Sequence, residues 1–228
     1  KLSPLSAARP CIEAAMNASK RAADLTGQML AYSGKGLFIV KNVNMNELVA
    51  ENAHLLKAAI AKTVTLSLQL GQDLPPVKAD ASQLQQVIMN LIINASEAIG
   101  DQPGVITLST CVQECDAACL QASRLEDKPL PGRFALLEVV DTGCGMSRET
   151  VQRLFDPFFS TKFTGRGLGM SAVLGIVKGH DGAIMVETAE GKGTTMRVLL
   201  PLADPSEAEQ GLLPETRKSG QMPHFAPL

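Results

Sequence analysis

Much of what this sequence can be is decided by what it lacks. No stretch approaches the roughly 18 to 20 uninterrupted apolar residues of a membrane span. The apolar run around Val87–Ala95 is broken by Asn90 and Asn94 and reads as a core helix. Charge of one sign is missing too: 21 Lys and Arg face 23 Asp and Glu, for a net charge of -2. That balance provides no basic stripe of the kind that captures nucleic acid or an anionic membrane. The five cysteines, Cys11, Cys111, Cys115, Cys119 and Cys144, are too few and odd in number for a disulfide framework. Cys111, Cys115 and Cys119 recur every fourth residue, but nothing nearby supplies the fourth ligand of a zinc site. They read as reduced thiols. An initiator Met and a signal peptide are absent at Lys1–Pro10, so the chain reads as a piece of a longer protein.

The 228 residues leave room for one sizeable domain and a short appendage. Ser6 to Ser33 has the spacing of one amphipathic helix, with Ile12, Ala15, Met16, Ser19, Ala22, Ala23, Met29 and Leu30 on one stripe. Gly34 and Gly36 end it. After Asn42–Met45 comes a second helix whose apolar face holds Leu48, Val49, Ala53, Leu55, Leu56, Ala59 and Ile60. Val64–Leu70 alternates as a strand and Gly71–Pro76 is a turn. Asp80–Gly100 is the strongest helical pattern, with Leu84, Val87, Ile88, Leu91, Ile92 and Ala95 inward. Strands are expected at Val105–Cys111 and Phe134–Val140, around an irregular insert reaching Gly132. A short helix at Glu149–Leu154, a glycine loop at Phe155–Gly169 and a helix at Met170–Lys178 follow. Two closing strands, Ala183–Thr188 and Thr194–Leu200, form a hairpin and make part of the sheet antiparallel. Beyond Pro201 the apolar periodicity stops and the chain reads as a linker. The pattern predicts an α/β (α+β) two-layer sandwich, a mixed β-sheet with helices on one face.

Several polar residues sit where that fold wants apolar ones. Asn90 and Asn94 share one face of a core helix, and buried amides demand partners. Two in one turn suggest a lined cavity, and magnesium suits it because that ion takes few protein ligands beside phosphate oxygens and water. Asp141 ends a buried strand before Gly143, Gly145 and Met146. A carboxylate there can accept from an exocyclic amine such as adenine's, while glycines let backbone approach the ring. Phe155, Phe158 and Phe159 cluster before Ser160-Thr161-Lys162 and can anchor one end of a loop. Gly165-Arg166-Gly167-Leu168-Gly169 then opens a helix, offering unpaired N–H groups to phosphate with Lys162 and Arg166 beside them. Gly191-Lys192-Gly193-Thr194 is either a plain hairpin turn or one whose Thr hydroxyl reaches phosphate. P-loop, dinucleotide and His-Glu-x-x-His signatures are all missing.

Together these segments resemble the catalytic ATP-binding domain of sensor histidine kinases, in the wider Bergerat-fold ATPase superfamily. Gln86–Ile99 is similar to the asparagine box, Asp141–Met146 to the first glycine box, Phe155–Phe159 to the phenylalanine box and Gly165–Gly169 to the second glycine box. The resemblance implies ATP and Mg2+ as cofactors, with Asn94 on the metal and Asn90 supporting the triphosphate. It implies Asp141 on the adenine amine, with Gly143 and Gly145 shaping that pocket. Glu97, Met146, Phe155, Thr161, Lys162, Gly165, Arg166, Gly167, Leu168, Gly169 and Thr194 complete the implied cofactor-binding set, several of them in a lid over the phosphates. Gyrase-, chaperone- and mismatch-repair-type members carry a water-activating glutamate one turn before the metal-binding asparagine; here that residue is Asn90. Glu97, beyond Asn94, does not replace it. Phosphoryl transfer to a protein histidine is therefore the implied reaction, and hydrolysis is expected to be slow.

The resemblance also divides the chain: residues 1–36 as the second helix of a dimerisation and phosphoacceptor hairpin, 37–201 as the catalytic domain, 202–228 as a tail. The hairpin's histidine-bearing helix is missing. His54, His180 and His224 do not match the acceptor motif and are expected to be ordinary surface histidines. The fragment alone is then expected not to autophosphorylate. Implied partners are a phosphoacceptor histidine domain, a response-regulator receiver domain, towards which the tail of a hybrid kinase would lead, and a second copy in a homodimeric parent. The implied location is cytoplasmic, with any membrane attachment through other parts of the parent.

Overall fold

The computed structural model describes residues 39–162 and 167–203, together with Ile12 and Met16, both helical and exposed. The rest of the expected N-terminal helix, Gly165 and Arg166, and the tail from residue 204 lie outside the described residues.

The chain enters through β1 (Lys41–Val43) and α1 (Met45–Ala59). Asn44 starts α1 because its side-chain oxygen accepts from the N–H groups of Asn46 and Glu47 at 3.0 and 3.3 Å. Met45, Leu48, Val49 and Leu56 are buried on one stripe, whereas Leu55, expected on that stripe, is 51% exposed. β2 (Val64–Leu70) and β3 (Val77–Ala79) lead to α2 (Ala81–Ile99). β4 (Gly104–Cys115), α3 (Ala117–Gln121), β5 (Gly132–Asp141) and α4 (Arg148–Arg153) come next. α5 (Gly169–Gly179), β6 (Ala183–Thr188) and β7 (Thr194–Pro201) close the domain. β1 and β3 pair with each other, two three-residue strands too short to show a sequence period.

The main sheet runs β2-β4-β5-β7-β6. β2 and β4 are parallel, which requires a crossover, and α2 provides it. The other pairs are antiparallel, so the sheet is mixed as expected. Alternation decides the faces. Ile106 and Leu108 on β4, Ala135, Leu137 and Val139 on β5, and Met196, Val198 and Leu200 on β7 share one core with α1, α2 and α5. The opposite face is not left bare. Phe134, Leu136, Ala183, Met185 and Leu199 form a second small core with Cys115 and Leu120. The insert expected to be irregular thus holds the end of β4 and a short helix. It then turns around the β6 edge, where Arg124 donates its N–H to the Ile184 carbonyl at 2.8 Å. Leu125 joins the main core, so the insert covers a sheet edge that would otherwise expose unpaired backbone.

α2 has the most anchored start in the molecule. Asp80 caps it by accepting from the N–H groups of Ser82 and Gln83 and from the Ser82 hydroxyl. The other carboxylate oxygen accepts from Ile39 N–H at 3.0 Å. His180 corrects the surface expectation: it is buried at the end of α5, its Nε2 accepting from Asp80 N–H at 3.0 Å. Its Nδ1 lies 2.8 Å from the Ile176 carbonyl, so the ring is held with the proton on Nδ1. One imidazole therefore ties the end of α5 to the start of α2. Leu202 bridges to Val77, and Ala203 donates to the Pro76 carbonyl at 2.8 Å.

Burial alone pushes the Asp80 carboxyl up, but hydrogen bonds from the Ser82 hydroxyl and the N–H groups of Ile39, Gln83 and Ser82 outweigh it and hold it below 3.8. Folding therefore favours the ionised form, and that contribution is complete above 3.8 and lost as pH falls through the lower folded value. Asp80→Ala is expected to lose about 1 kcal/mol of stability at neutral pH. Urea unfolding at neutral and acid pH checks this: the deficit shrinks in acid.

Candidate functional site

One face of α2, the end of β5, the chain after it and the start of α5 enclose a cavity of about 540 Å³, a size suited to a small-molecule ligand. Asn90, Asn94 and Glu97 line it from α2 at helical spacing, beside the buried Leu91 and Ala95, while Ile92 points into the core. The three polar residues differ in engagement. Asn90 donates from Nδ2 to the Gly169 carbonyl at 3.2 Å, which couples α2 to the first residue of α5. Glu97 Oε2 meets Lys162 Nζ at 2.5 Å across the cavity mouth. Asn94 makes no side-chain hydrogen bond to another described residue, so its amide is available to a ligand.

Asp141 is 6% exposed, and its Oδ1 accepts from Gly143 N–H at 2.7 Å. Burial raises its pKa above 3.8, against the opposing pull of the Gly143 and Thr194 N–H groups and the Lys162 charge. It is thus a desolvated acceptor at the end of a strand, with Val139 and Met196 lining the same cavity as apolar wall. The turn after it is pinned to α2: Cys144 donates its N–H to the Ala98 carbonyl at 3.0 Å. Gly143 is not among the residues that line this cavity. It lies so close to α2 that a Cβ would meet the Ala98 carbonyl carbon at 2.6 Å, and its role is to let the turn dock there. Gly145 has φ +66 and would place a Cβ 1.9 Å from the Ala189 oxygen.

The remaining expected residues divide. Met146, Thr161, Lys162, Gly167, Leu168, Gly169 and Thr194 line the cavity. Phe155 does not: it packs against the main core, and Phe159 takes the position at the wall, with the Arg153 guanidinium 4.3 Å from its ring centroid. Thr194 pairs with Asp141 across the sheet and its hydroxyl lies 3.0 Å from that of Thr188, so it serves the carboxylate. Phe158, exposed and at φ 65, donates its N–H to the Gly167 carbonyl at 2.9 Å and brings the two ends of the glycine loop together. Gly165 and Arg166 lie outside the described residues. Leu168 is the N-cap of α5 and makes no side-chain cap, so the first N–H groups of this 11-residue helix lack such a partner where Gly167, Leu168, Gly169 and Met170 line the cavity.

These residues fit a magnesium nucleotide. An acceptor carboxylate beside apolar wall suits an amine-bearing ring, uncapped helix N–H groups with a lysine suit phosphates, and an unengaged amide suits a metal that keeps most of its waters. A family model for histidine kinase-, DNA gyrase B- and HSP90-like ATPases matches residues 79–204. The chain belongs to this ATPase family. It is 38% identical over 186 residues to sensor kinase CckA of Brucella abortus, covering 80% of this chain and 19% of that protein. It is 36% identical over 169 residues to the sensory histidine kinase/phosphatase NtrB of Rhizobium meliloti, covering 74% of this chain and 43% of the relative. A likeness in fold extends over 89% of the chain and 40% of full-length ShkA in complex with AMPPNP, at 20% identity and a TM-score of 0.64. The chain spans less than half the length of the curated relatives it matches. Its fold is that of histidine kinase catalytic domains.

Ala98, Val139, Thr150, Leu154 and Met196 also line the cavity and were not singled out from the sequence, because nothing but their tertiary position distinguishes them from core residues. Phe159 and Ser160, read as part of the loop's anchored end, line it as well. No helix among the described residues is long and apolar enough to cross a membrane.

Gly145→Ala is expected to cost roughly 1–3 kcal/mol in stability, from its backbone conformation and the clash with Ala189, and to lower nucleotide affinity. Gly132→Ala, where a Cβ meets nothing within 4 Å, is the control and should leave both unchanged. Thermal melts with and without a nucleotide analogue read both effects.

Proposed function

We propose that this chain is the phosphoryl-donor half of a sensor histidine kinase: it binds ATP with magnesium and presents the γ-phosphoryl group to a histidine on a phosphoacceptor domain. One observation carries this reading. The position one turn before Asn94 is Asn90, and its amide is spent on the Gly169 carbonyl. An amide is no base, so it cannot take the proton of an attacking water. The carboxylates of the cavity do not stand in its place: Glu97 lies on the other side of Asn94 along α2, at the cavity mouth, and Asp141 takes N–H groups from Gly143 and Thr194. Positioning and charge neutralisation remain as the means of catalysis, which is what phosphoryl transfer to an incoming nucleophile asks of a protein.

In this reading Asp141 accepts from the adenine amine while the wall of Val139 and Met196 contacts the ring. Asn94 holds the magnesium, which neutralises charge on the phosphate oxygens. Lys162, the N–H groups at the start of α5, and the glycine loop that includes Gly165 and Arg166 hold the phosphates. For Lys162 to reach them it must leave Glu97. The acceptor histidine is supplied by a separate domain, since His54, His180 and His224 do not match the acceptor motif. Partners are that acceptor domain, a second copy through the hairpin of the parent, and a response-regulator receiver. Support for the last is a fold likeness to histidine kinase ThkA, whose structure is in complex with response regulator TrrA, at 24% identity and a TM-score of 0.58 over 89% of this chain and 53% of that one. The domain would act in the cytoplasm.

Incubation with labelled ATP, magnesium and a phosphoacceptor histidine hairpin should transfer label to that hairpin, with steady-state hydrolysis slow by comparison. Absence of transfer, or hydrolysis that outruns it, contradicts the proposal. Asn94→Ala should weaken magnesium-dependent ATP binding by roughly tenfold or more, from loss of an interaction of about 1–3 kcal/mol, while leaving the melting point of the ligand-free protein unchanged. ATP affinity should also fall in acid at a pH above 3.8, because the acceptor form of Asp141 is lost at its raised pKa. Calorimetric titration across pH reads this directly, and affinity that holds down to pH 3.8 would exclude Asp141 as the adenine acceptor.

A further inference from the structure

We propose that Cys115 and Cys119 are a redox-active dithiol that closes to an intramolecular disulfide at the corner where the insert leaves the sheet. Their sulfurs face each other at 3.1 Å. A disulfide brings two sulfurs to about 2.0 Å, so closure asks for an approach of about 1 Å, within reach of side-chain rotation. The backbone holds the pair in place from both sides. Cys115 ends β4, opposite Gly132 on β5, and Cys119 lies in α3, whose cap Asp116 accepts from Cys119 N–H at 2.7 Å.

The two thiols are unequal, which gives the chemistry an order. Cys119 is half-buried, with the Gln113 side-chain N–H 3.8 Å from its sulfur, and is the one that solution reaches. Cys115 is 1% exposed in the small outer core with Leu120, Phe134 and Leu136. Burial, then the Cys119 sulfur beside it, pushes the Cys115 thiol up to about 12. Cys119 is therefore the entry thiol and Cys115 the resolving one. The oxidant is a low-molecular-weight disulfide such as oxidised glutathione. The Cys119 thiolate attacks one of its sulfurs and expels one glutathione thiolate, which takes up a proton. The Cys115 sulfur then attacks the Cys119 sulfur of the mixed disulfide, and its proton leaves with the second glutathione. Two protein thiols and one glutathione disulfide become one protein disulfide and two glutathione thiols.

The other described cysteines stand apart from this pair. Cys111 is on the same strand two pleats away, roughly 13 Å along β4, and Cys144 is in the turn after β5. Both are exposed and unpaired in thiol chemistry. No group of three metal-binding side chains occurs among the described residues, so a dithiol, and not a metal site, is what the corner offers. The Cys115 end of β4 is also the end away from Asp141, which pairs with Ile106. The dithiol is thus separate from the nucleotide cavity, and its oxidation acts on the anchoring of the insert.

The test is a redox map of the full chain. The protein is incubated with oxidised glutathione, alkylated, and cleaved after glutamates, since Glu114 and Glu126 release residues 115–126 with these two cysteines and no other. The expected peptide is lighter by two hydrogens and carries no alkyl group, while Cys111 and Cys144 carry glutathionyl adducts. In Cys115→Ser the reaction should stop at a glutathionyl on Cys119. A peptide that takes two alkyl groups after oxidant, or that holds a stable glutathionyl on Cys119 beside a reduced Cys115, overturns the proposal. The wild-type map decides this without relying on the folding of either variant.

Discussion

The structure depends on how α2 is held. Its first turn is fixed by the Asp80 carboxylate and by the hydrogen bond from Asp80 N–H to buried His180. Its middle is fixed by the Asn90 amide on the Gly169 carbonyl and its last turn by Cys144 N–H on the Ala98 carbonyl. Each bond joins the helix to a different segment: the end of α5, the start of α5, and the turn after β5. The apolar stripe of Leu84, Val87, Ile88, Leu91 and Ile92 sets its depth over the sheet. With depth, rotation and both ends determined, Asn94 has one direction left to point, and that is into the cavity.

A second consequence concerns charge. The cavity holds two carboxylates, and neither stands one turn before Asn94. Asp141 is desolvated and takes backbone N–H groups, while Glu97 has Lys162 at 2.5 Å. The pair at the mouth is half-exposed, so its own contribution to stability is small. Its importance is competitive. On the proposed reading a triphosphate competes with Glu97 for Lys162, because it offers more negative charge than one carboxylate does. The proposed catalysis is then by placement, with dipoles, an amide and a cation supplied here.

Strong local patterns made much of this legible in the sequence. Val64–Leu70 alternates and Ala183–Thr188 opens on an apolar run, both form strands with those bounds, and Asp80 and Gly100 flank α2 as cap residues should. The motif residues Asn90, Asn94, Asp141 and Gly145 converge on one cavity, as their spacing on a helix face and a strand end implied. What was illegible depends on tertiary contact. β1 and β3 exist only as each other's partners, and α3 is stabilised by packing on the outer face of the sheet. A lone histidine after a helix gives no sign of burial, so His180 read as a surface residue. Within a cluster of phenylalanines nothing in the sequence tells which turns inward, and it is Phe155 that joins the core while Phe159 reaches the cavity. The close approach of Gly143 to Ala98 and the pairing of Thr194 with Asp141 were likewise illegible, because backbone proximity is invisible in one dimension.

The central claim is that α2 orients a magnesium nucleotide between Asp141 and the start of α5, with Asn94 at the metal. A crystal structure with AMPPNP and magnesium tests it most directly. The account predicts the adenine amine on Asp141, the metal on the Asn94 side-chain oxygen, the phosphates at the uncapped start of α5, and Lys162 moved from Glu97 to a phosphate oxygen. A nucleotide bound in the opposite direction, or a metal held without Asn94, would contradict it.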